Sequence, residues 1–368
     1  MFSNLRARHL SPHWVTAFAV AVSLLMLTST ANAQPFGAWL TLNGYPANTG
    51  HSAIPANAAL NPTGAFTFEA WVSITNNSAS EDCRTIAGKN FQQAWWIGLC
   101  GVGGKPTLRS YLKGSGSLRN GGQIEPGRWT HVAVVFNGTE RRHYIDGELA
   151  ATFPETGPLT TSTSDMRIGS DVSWERPPTG AIDEVRLWNV ARTEAQLRAN
   201  FNREITAPET GLVAVWPFNG NAADVIGPND GATTGTGVAF LTFPVAPNCG
   251  ATTATTLCLR NRFAISARWR TDPEPGSLTN AQAQVAGAAN AGSGLFQFFS
   301  PENWEIMVKA LDGCGLNNRY WVFSAATTNV YYRLEVLDVK TGTQKIYFNY
   351  PGPPAPAVTD TSALAVCP

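Results

Sequence analysis

Strict alternation of apolar and polar residues from Ala65 to Ile74 is the feature that most constrains the fold of this chain. Its apolar positions are Phe66, Phe68, Ala70, Val72 and Ile74. Because successive side chains of a strand point to opposite faces, a period of two predicts a half-buried strand. Alternation from Trp129 to Phe136, followed by the turn pairs Asn137-Gly138 and Asp146-Gly147, predicts an antiparallel meander of three strands.

One helix is well signalled against many short strands. Thr193 and Gln196 have the spacing of a capping box, which satisfies free amides at a helix start. Leu197 and Phe201 lie four residues apart, so they share a face that can dock on a sheet. A single short helix among so many strand patterns predicts an all-β sandwich and not an α/β fold.

The composition excludes two classes of protein. The 368 residues carry 26 basic and 26 acidic side chains, a formal net charge of zero, which argues against a nucleic-acid partner held by a basic surface. A hydrophobic content of 43% is too high for a disordered chain.

The amino terminus has the pattern of a secretory signal peptide, residues 1–33. Arg6 and Arg8 precede a mostly apolar run from Val15 to Leu27, and Ala31-Asn32-Ala33 has the small residues of a cleavage site. The alternative is a membrane anchor, but thirteen helical residues rise about 20 Å, short of the ~30 Å hydrocarbon core. We therefore expect a secreted protein, extracellular or periplasmic, that does not span a membrane.

Export would place the six cysteines in an oxidising compartment. An even count in an oxidising compartment predicts disulfides, and six cysteines allow fifteen full pairings. Cys83 and Cys100 bracket one apparent hairpin, far from the others, and are expected to pair. Of the three pairings left to the other four, Cys249–Cys258 with Cys314–Cys367 is favoured.

A change in the sequence pattern near Pro244 predicts a domain boundary. Pro247-Asn248-Cys249-Gly250 and a Thr/Ala run follow the first set of strands, and strand patterns resume after Cys258. We predict one domain over residues 34–245 and a disulfide-containing β domain over 246–368.

Six segments in order resemble a known family. They are Leu40-Thr41-Leu42-Asn43-Gly44, Phe66–Val72, Trp129–Phe136, Tyr144-Ile145-Asp146-Gly147, Gly180–Trp188 and Gly211–Phe218. Together they resemble the laminin-G-like, and especially the pentraxin-like, jelly rolls of the concanavalin A-like lectin/glucanase superfamily. The resemblance implies a two-sheet antiparallel jelly roll, here followed by a smaller β-sandwich.

The carboxyl-terminal part resembles a β-rich module found at the ends of secreted bacterial proteins. The segments that suggest this resemblance are Leu257-Cys258-Leu259, Val308–Gly313 and Tyr320–Phe323.

The resemblance also implies a calcium ion. Such domains often hold one Ca²⁺ with oxygen ligands, and the matching carboxylate here is Asp183. Asp183 is expected to face inward in phase with Val185 and Leu187, with carbonyls near Asn43 and Gly44 as further ligands. The alternative is a salt bridge or a cap from Asp183 to backbone amides.

Aromatic residues are the candidates for ligand binding, because apolar sugar faces stack on rings. Trp95, Trp96, Tyr111 and Trp174 are the candidates, and one of the two adjacent tryptophans must face away from the core. The alternative for each ring is packing.

A catalytic role is poorly supported by the residues. Glucanases of the superfamily carry two carboxylates at alternate positions of one strand, whereas Glu69 is the only acid on its strand and Asp183-Glu184 are adjacent. We therefore predict a secreted, non-catalytic binding or adhesion protein whose partner is a glycan or a cell-surface protein. The alternatives are a structural envelope component and, less favoured, a glycoside hydrolase.

Overall fold

The computed structural model describes residues 37–75, 81–91, 93–112, 118–272, 275 and 281–367. The predicted signal peptide lies outside these residues. Within the described part of the chain, no helix is long and apolar enough to cross a membrane.

Antiparallel strands up to residue 241 form two sheets. The strands are β1 (Trp39–Asn43), β2 (His51–Ile54), β3 (Phe66–Ile74), β4 (Cys83–Gly88), β5 (Trp95–Val102), β6 (Lys105–Leu112), β7 (Leu118–Gln123), β8 (Thr130–Phe136), β9 (Glu140–Ile145), β10 (Glu148–Pro154), β11 (Met166–Ile168), β12 (Thr179–Trp188), β13 (Leu212–Trp216), β14 (Ala232–Thr234) and β15 (Val238–Leu241). Sheet 1 has the order β10-β9-β8-β3-β12-β1-β15, with β13 paired to β12, and sheet 2 has the order β14-β2-β11-β4-β5-β6-β7. The predicted meander is present as β8, β9 and β10.

Later strands form a second sandwich. They are β16 (Leu257–Leu259), β17 (Phe263–Arg270), β18 (Ala281–Gln282), β19 (Gln284–Asn290), β20 (Ser293–Gln297), β21 (Trp304–Asp312), β22 (Tyr320–Ala326), β23 (Tyr331–Asp338), β24 (Thr343–Asn349) and β25 (Val358–Leu364). Sheet 3 has the order β16-β17-β23-β24, with β18 paired to β17, and sheet 4 has the order β19-β20-β21-β22-β25. The prediction of an all-β, antiparallel fold is confirmed.

The short helices connect strands. They are a 3₁₀ helix (Ala58–Leu60), α1 (Glu194–Asn200) and α2 (Cys314–Asn317). The capping box predicted for α1 is present, because Thr193 and Gln196 each accept a backbone N–H of the other. Leu197 packs on Ala133, Val135 and Tyr144 of sheet 1, so the predicted docking face is confirmed.

Two separate hydrophobic cores correspond to the two sandwiches. The five apolar residues of the alternating segment in β3 are all fully buried in the first core. Phe263, Val308, Val322 and Leu334 belong to the second. The described residues nevertheless form one compact unit, so the domain boundary at residue 245 stays a prediction.

A bulge in β12 changes the face that Asp183 takes. The pairing of β12 with β3 shifts between Asp183 and Arg186, and Glu184 has a φ of 48°. Ile182 and Val185 both point into the first core, whereas Asp183 lies opposite Trp71 on the outer face of sheet 1. The prediction that Asp183 faces inward with Val185 is therefore wrong, because the extra residue of a bulge reverses the alternation.

All six cysteines are paired in disulfides. The bonds join Cys83 to Cys100, Cys249 to Cys258 and Cys314 to Cys367, which are the favoured pairs. The first closes a hairpin, because Cys83 lies directly opposite Cys100 in β4 and β5.

The second sandwich packs on the outer face of sheet 1. Arg333 of β23, whose side chain is 1% exposed, donates from one Nη to the carbonyl of Trp129 at 2.5 Å and lies 3.4 Å from the Asp146 carboxylate. The Tyr350 hydroxyl donates to the Asp146 carbonyl at 3.0 Å. An apolar cluster that includes Trp71, Phe201 and Ile346 completes the contact.

A buried histidine connects the two sheets of the first sandwich. His143 of β9 is fully buried, and its Nε2 lies 2.7 Å from the Ser110 hydroxyl of β6. Burial, and to a lesser extent the charge of Arg141, lowers the pKa of His143 to about 3.

This low pKa predicts a loss of stability in acid. Below pH 6.5 the unfolded chain binds a proton at His143 that the folded chain does not, so the free energy of unfolding should fall by about 2 kcal/mol from pH 6.5 to 4.5 through this group. Denaturant unfolding of the natural chain and of His143→Gln at both pH values measures it. Between the two pH values, the free energy of unfolding of His143→Gln should fall less than that of the natural chain by about this amount. Equal losses in the two proteins would contradict a low pKa of His143.

Candidate functional site

Two adjoining depressions lie where the second sandwich meets sheet 1. One has a volume of about 390 Å³ and the other of about 290 Å³. Gly127, Trp129 and Phe243 line both, so the two form one continuous surface, which we call the groove.

The groove exists because a row of small side chains crosses sheet 1 between large rings. Thr41 of β1 lies opposite Ala181 of β12, which lies opposite Ser73 of β3. Residues opposite one another on adjacent strands share a face, so these three make a shallow floor. Trp39 and Trp129 stand at its sides.

The wall of the groove is aromatic. The Trp39 ring meets the Trp129 ring edge-on at 5.4 Å between centroids, and the Phe243 ring at 4.9 Å. Trp39 and Phe243 are half-buried, so part of each ring faces solvent. Edge-to-face contacts of this kind are favourable and hold rings in fixed orientations.

Hydroxyl groups lie on the floor. The Thr41 Oγ1 atom is buried and has no hydrogen-bond partner among the described residues. The Thr75 hydroxyl donates to the Thr179 carbonyl at 3.1 Å at the edge of the same depression. A buried hydroxyl without a partner is costly, so Thr41 is a group that a ligand could satisfy.

The other end of the groove is charged. Glu125 lies 3.3 Å from Arg128 and 3.2 Å from Arg268 of the second sandwich. Glu335 is paired with Arg333, and the Gln344 amide donates to Glu335 at 3.4 Å. The charges at this end are therefore arranged as ion pairs.

The sequence did not predict the groove, because its walls come from Trp39, Trp129 and Phe243, which are far apart in the chain. A weak signal was available: Thr41 and Ser73 are small polar residues at outward positions of strands whose neighbours include tryptophan. Recognising it requires the strand order.

Three of the four aromatic residues predicted to bind a ligand converge on the outer face of sheet 2. Trp96 and Tyr111 pack there with Phe91, and Trp174 contacts the Phe91 ring edge-on at 4.8 Å. Trp96 and Tyr111 are 2% and 6% exposed, and the space left among the rings is about 10 Å³, too small for a sugar ring. Trp174 is half-buried, and its indole N–H has no partner among the described residues.

Trp95 lies on the opposite face of β5, in the first core. Its ring packs near Phe66 and Phe68, and its indole N–H donates to the Leu60 carbonyl at 3.3 Å. The prediction that one of the adjacent tryptophans faces away from the core is confirmed by Trp96. Trp95 has no ring face at the surface.

The three predicted calcium ligands do not meet. Asn43 lies opposite Thr179, four residues before Asp183 on β12, so the two are about 13 Å apart along the strand. Gly44 follows Asn43, and its φ of 81° together with the closeness of Thr179 requires glycine there. No group of three or more His, Cys, Asp or Glu among the described residues is arranged to hold a metal.

Buried acids lie under α1 on the outer face of sheet 1. The Glu69 carboxylate accepts from Trp188 Nε1 at 2.6 Å and from Arg192 at 3.0 Å, and lies 3.2 Å from His131 Nε2. Burial alone would raise the pKa of Glu69, but the His131 hydrogen bond and the charges of Arg186 and Arg192 hold that pKa at about 2.

Glu184 completes this buried cluster. Its carboxylate lies 2.7 Å from Arg186, and both side chains are 1% exposed. Neither Glu69 nor Glu184 reaches solvent, so this cluster stabilises the fold and offers no carboxylate to a substrate.

Comparison with known proteins agrees with this fold. Residues 46–198 match a laminin G family model described as the concanavalin A-like lectin/glucanases superfamily. The family resemblance seen in the sequence is confirmed for this segment. No curated protein matches the chain.

Solved structures give more distant likenesses. A candidate carbohydrate-binding protein of Bacteroides ovatus is 21% identical with a TM-score of 0.44, covering 55% of this chain and 60% of that one. A heptameric SAP-like pentraxin of Limulus polyphemus is 16% identical with a TM-score of 0.36, covering 44% and 80%. Domain 4 of an extracellular arabinanase of Geobacillus stearothermophilus, solved with arabinotriose, is 21% identical with a TM-score of 0.32, covering 44% and 86%. At such scores these likenesses identify neither a ligand nor an activity.

The buried acid cluster predicts a large effect on stability. Glu69→Ala leaves Arg192 and the Trp188 indole N–H buried without their carboxylate partner, so the free energy of unfolding should fall by about 3–5 kcal/mol. Glu140→Ala is the matched control, because its pair with Arg142 is more than a third exposed and contributes at most about 1 kcal/mol. Denaturant unfolding compares the two; similar losses would contradict a structural role for the cluster.

Proposed function

We propose that this protein is a secreted, non-catalytic glycan-binding protein and that the glycan lies in the groove. The observation that carries the proposal is the row of small side chains, Thr41, Ala181 and Ser73, between the rings of Trp39 and Trp129. It lies on a lectin-like fold.

The chemistry of the groove suits a sugar. A sugar ring has an apolar face that packs on aromatic rings and an edge of hydroxyls that needs donors and acceptors. Trp39 and Phe243 provide the ring faces, and Thr41 provides a hydroxyl whose hydrogen-bonding capacity is unused by the described residues. The larger depression, about 390 Å³, falls in the size range of ligand sites, roughly 300–1,000 Å³.

The electrostatics of the groove favour binding over hydrolysis. A glycosidase needs one carboxyl group that is protonated at working pH. Glu125 and Glu335 are the carboxylates lining the groove, and each is paired with arginine. Both carboxylates are therefore engaged in ion pairs with guanidinium groups.

Secretion and calcium remain predictions within this proposal. Three disulfides suit an oxidising compartment, which supports export. Calcium is predicted from the family resemblance alone, so binding is to be measured both with Ca²⁺ and with EDTA.

Removing the Trp39 ring should weaken binding. The chain is applied to a glycan array, and the affinity for the retained glycan is then measured for Trp39→Ala and Trp174→Ala. We expect Trp39→Ala to lose at least about tenfold in affinity, as aromatic anchors do, and Trp174→Ala to bind normally. Trp174 is the matched control, because it is half-buried but lies on sheet 2.

Two results would contradict the groove as the site. Loss of binding in Trp174→Ala with normal binding in Trp39→Ala would move the site to the aromatic cluster of sheet 2. Absence of binding to any glycan by the folded chain, with Ca²⁺ and with EDTA, would favour a structural envelope role.

Thr41→Val tests the floor of the groove separately from folding. The substitution keeps the shape and removes a buried hydroxyl that has no partner among the described residues, so the melting temperature should stay the same or rise. Affinity for the glycan should fall several-fold, about 1 kcal/mol, because one hydrogen bond to the ligand is lost. A lower melting temperature with unchanged affinity would show that the hydroxyl serves the fold instead.

A further inference from the structure

A cleft of about 470 Å³ opens at one end of the second sandwich, where three loops meet. Its lining includes Phe299, Asn303 and Glu305 before and at the start of β21, Thr328 and Asn329 after β22, and Pro354 before β25. The groove and this cleft share no lining residue.

The loops of the cleft are held in place by backbone hydrogen bonds. The Thr327 amide donates to the Glu305 carbonyl at 2.9 Å, and the Thr327 hydroxyl donates to the Trp304 carbonyl at 2.9 Å. Amides of Gly352 and Ala355 donate to the carbonyls of Asn329 and Thr328, each at 3.1 Å. A site whose loops are already ordered loses less conformational entropy when a ligand binds.

An aromatic ring lies exposed at the cleft. Phe299 is 55% exposed, although it is fixed edge-on against Trp269 at 4.5 Å. A ring that packs against a neighbour yet is open to solvent provides a flat surface for the apolar face of a ligand.

The polar groups of the cleft are amides, hydroxyls and one carboxylate. Glu305 is 2% exposed; its Oε2 accepts from the Phe298 amide at 2.6 Å and its Oε1 from the Asn303 amide group at 2.5 Å. An ionised carboxylate has about four acceptor positions, so Glu305 can accept further hydrogen bonds from ligand hydroxyls. Glu305 is the only charged residue among those lining the cleft in the described chain.

We propose that this cleft is a second carbohydrate site, which takes a neutral sugar. The Phe299 ring packs on the sugar face, Asn329 and Thr328 contact its hydroxyls, and the Glu305 carboxylate accepts from one hydroxyl. A buried carboxylate without a cation beside it in the cleft repels acidic sugars. The proposal is independent of the groove, and two sites on one chain would strengthen attachment to a polysaccharide by avidity.

Saturation-transfer NMR on the full chain tests the cleft. The probes are mannotriose, cellotriose, chitotriose and trigalacturonic acid, each measured against the natural chain, Trp39→Ala, Phe299→Ala and the double variant. We expect Trp39→Ala to retain transfer to at least one neutral trisaccharide, and the double variant to lose it. Leu316→Ala, which truncates a side chain that is 79% exposed elsewhere on the second sandwich, is the control and should behave as the natural chain.

Further variants separate binding from folding. Asn329→Ala removes an exposed amide and should weaken binding of the same trisaccharide several-fold without changing the melting temperature. Glu305→Gln should allow trigalacturonic acid to bind, because the repelling charge is gone. Transfer to trigalacturonic acid in Trp39→Ala, or no transfer to any neutral trisaccharide in that variant, overturns the cleft as a neutral-sugar site. Failure of the groove would appear differently, as unchanged affinity when Trp39 alone is replaced.

Discussion

The buried guanidinium of Arg333 is the contact on which the arrangement of the two sandwiches depends. It is almost fully buried, so its charge must be matched, and Asp146 of the first sandwich and Glu335 of the second lie beside it. Its hydrogen bond to the Trp129 carbonyl fixes the end of β8 against the second sandwich. Because removing either sandwich would leave charges or the Trp71–Phe201 cluster exposed to water, the two cores behave as one compact unit.

This docking creates the groove. The outer face of sheet 1 carries small residues where Thr41, Ala181 and Ser73 cross it, and sheet 1 alone would present only a shallow, open surface there. The second sandwich and the segment that includes Phe243 add the further walls, together with the ion pairs around Glu125. The groove and the contact between the two sandwiches are thus built partly from the same residues, because Trp129 lines the groove and its carbonyl accepts from Arg333.

Local patterns in the sequence predicted the strands and the helix well. Features that depend on contacts between distant parts of the chain could not be predicted in this way. The alternation in β3, the meander of β8 to β10 and the capping box of α1 depend on neighbours in the chain, and all three are present. The sequence pattern placed Asp183 on the wrong face because the residue with positive φ in the bulge is Glu184. A glycine at that position would have indicated the irregularity. Trp96 does face away from the core, as alternation predicts. Alternation could not predict that the Phe91 ring covers Trp96, because Phe91 lies in the segment between two strands.

The distribution of charge supports the proposal of binding over the alternative of glycoside hydrolysis. Glu69 and Glu184 are sealed under α1 and paired with arginines, and the carboxylates of the groove are also paired with arginines. His131, Arg186 and Arg192 hold the pKa of Glu69 at about 2, whereas acid catalysis needs a carboxyl group that keeps its proton. Burial raises the pKa of Glu184, but its side chain is 1% exposed and does not reach a substrate. Glu305, whose pKa is raised by burial, lies in the second sandwich and has no carboxylate beside it among the residues lining its cleft. A single acid of this kind can accept a hydrogen bond from a sugar hydroxyl but lacks the second carboxylate that hydrolysis requires, which supports the proposal that the cleft holds a sugar.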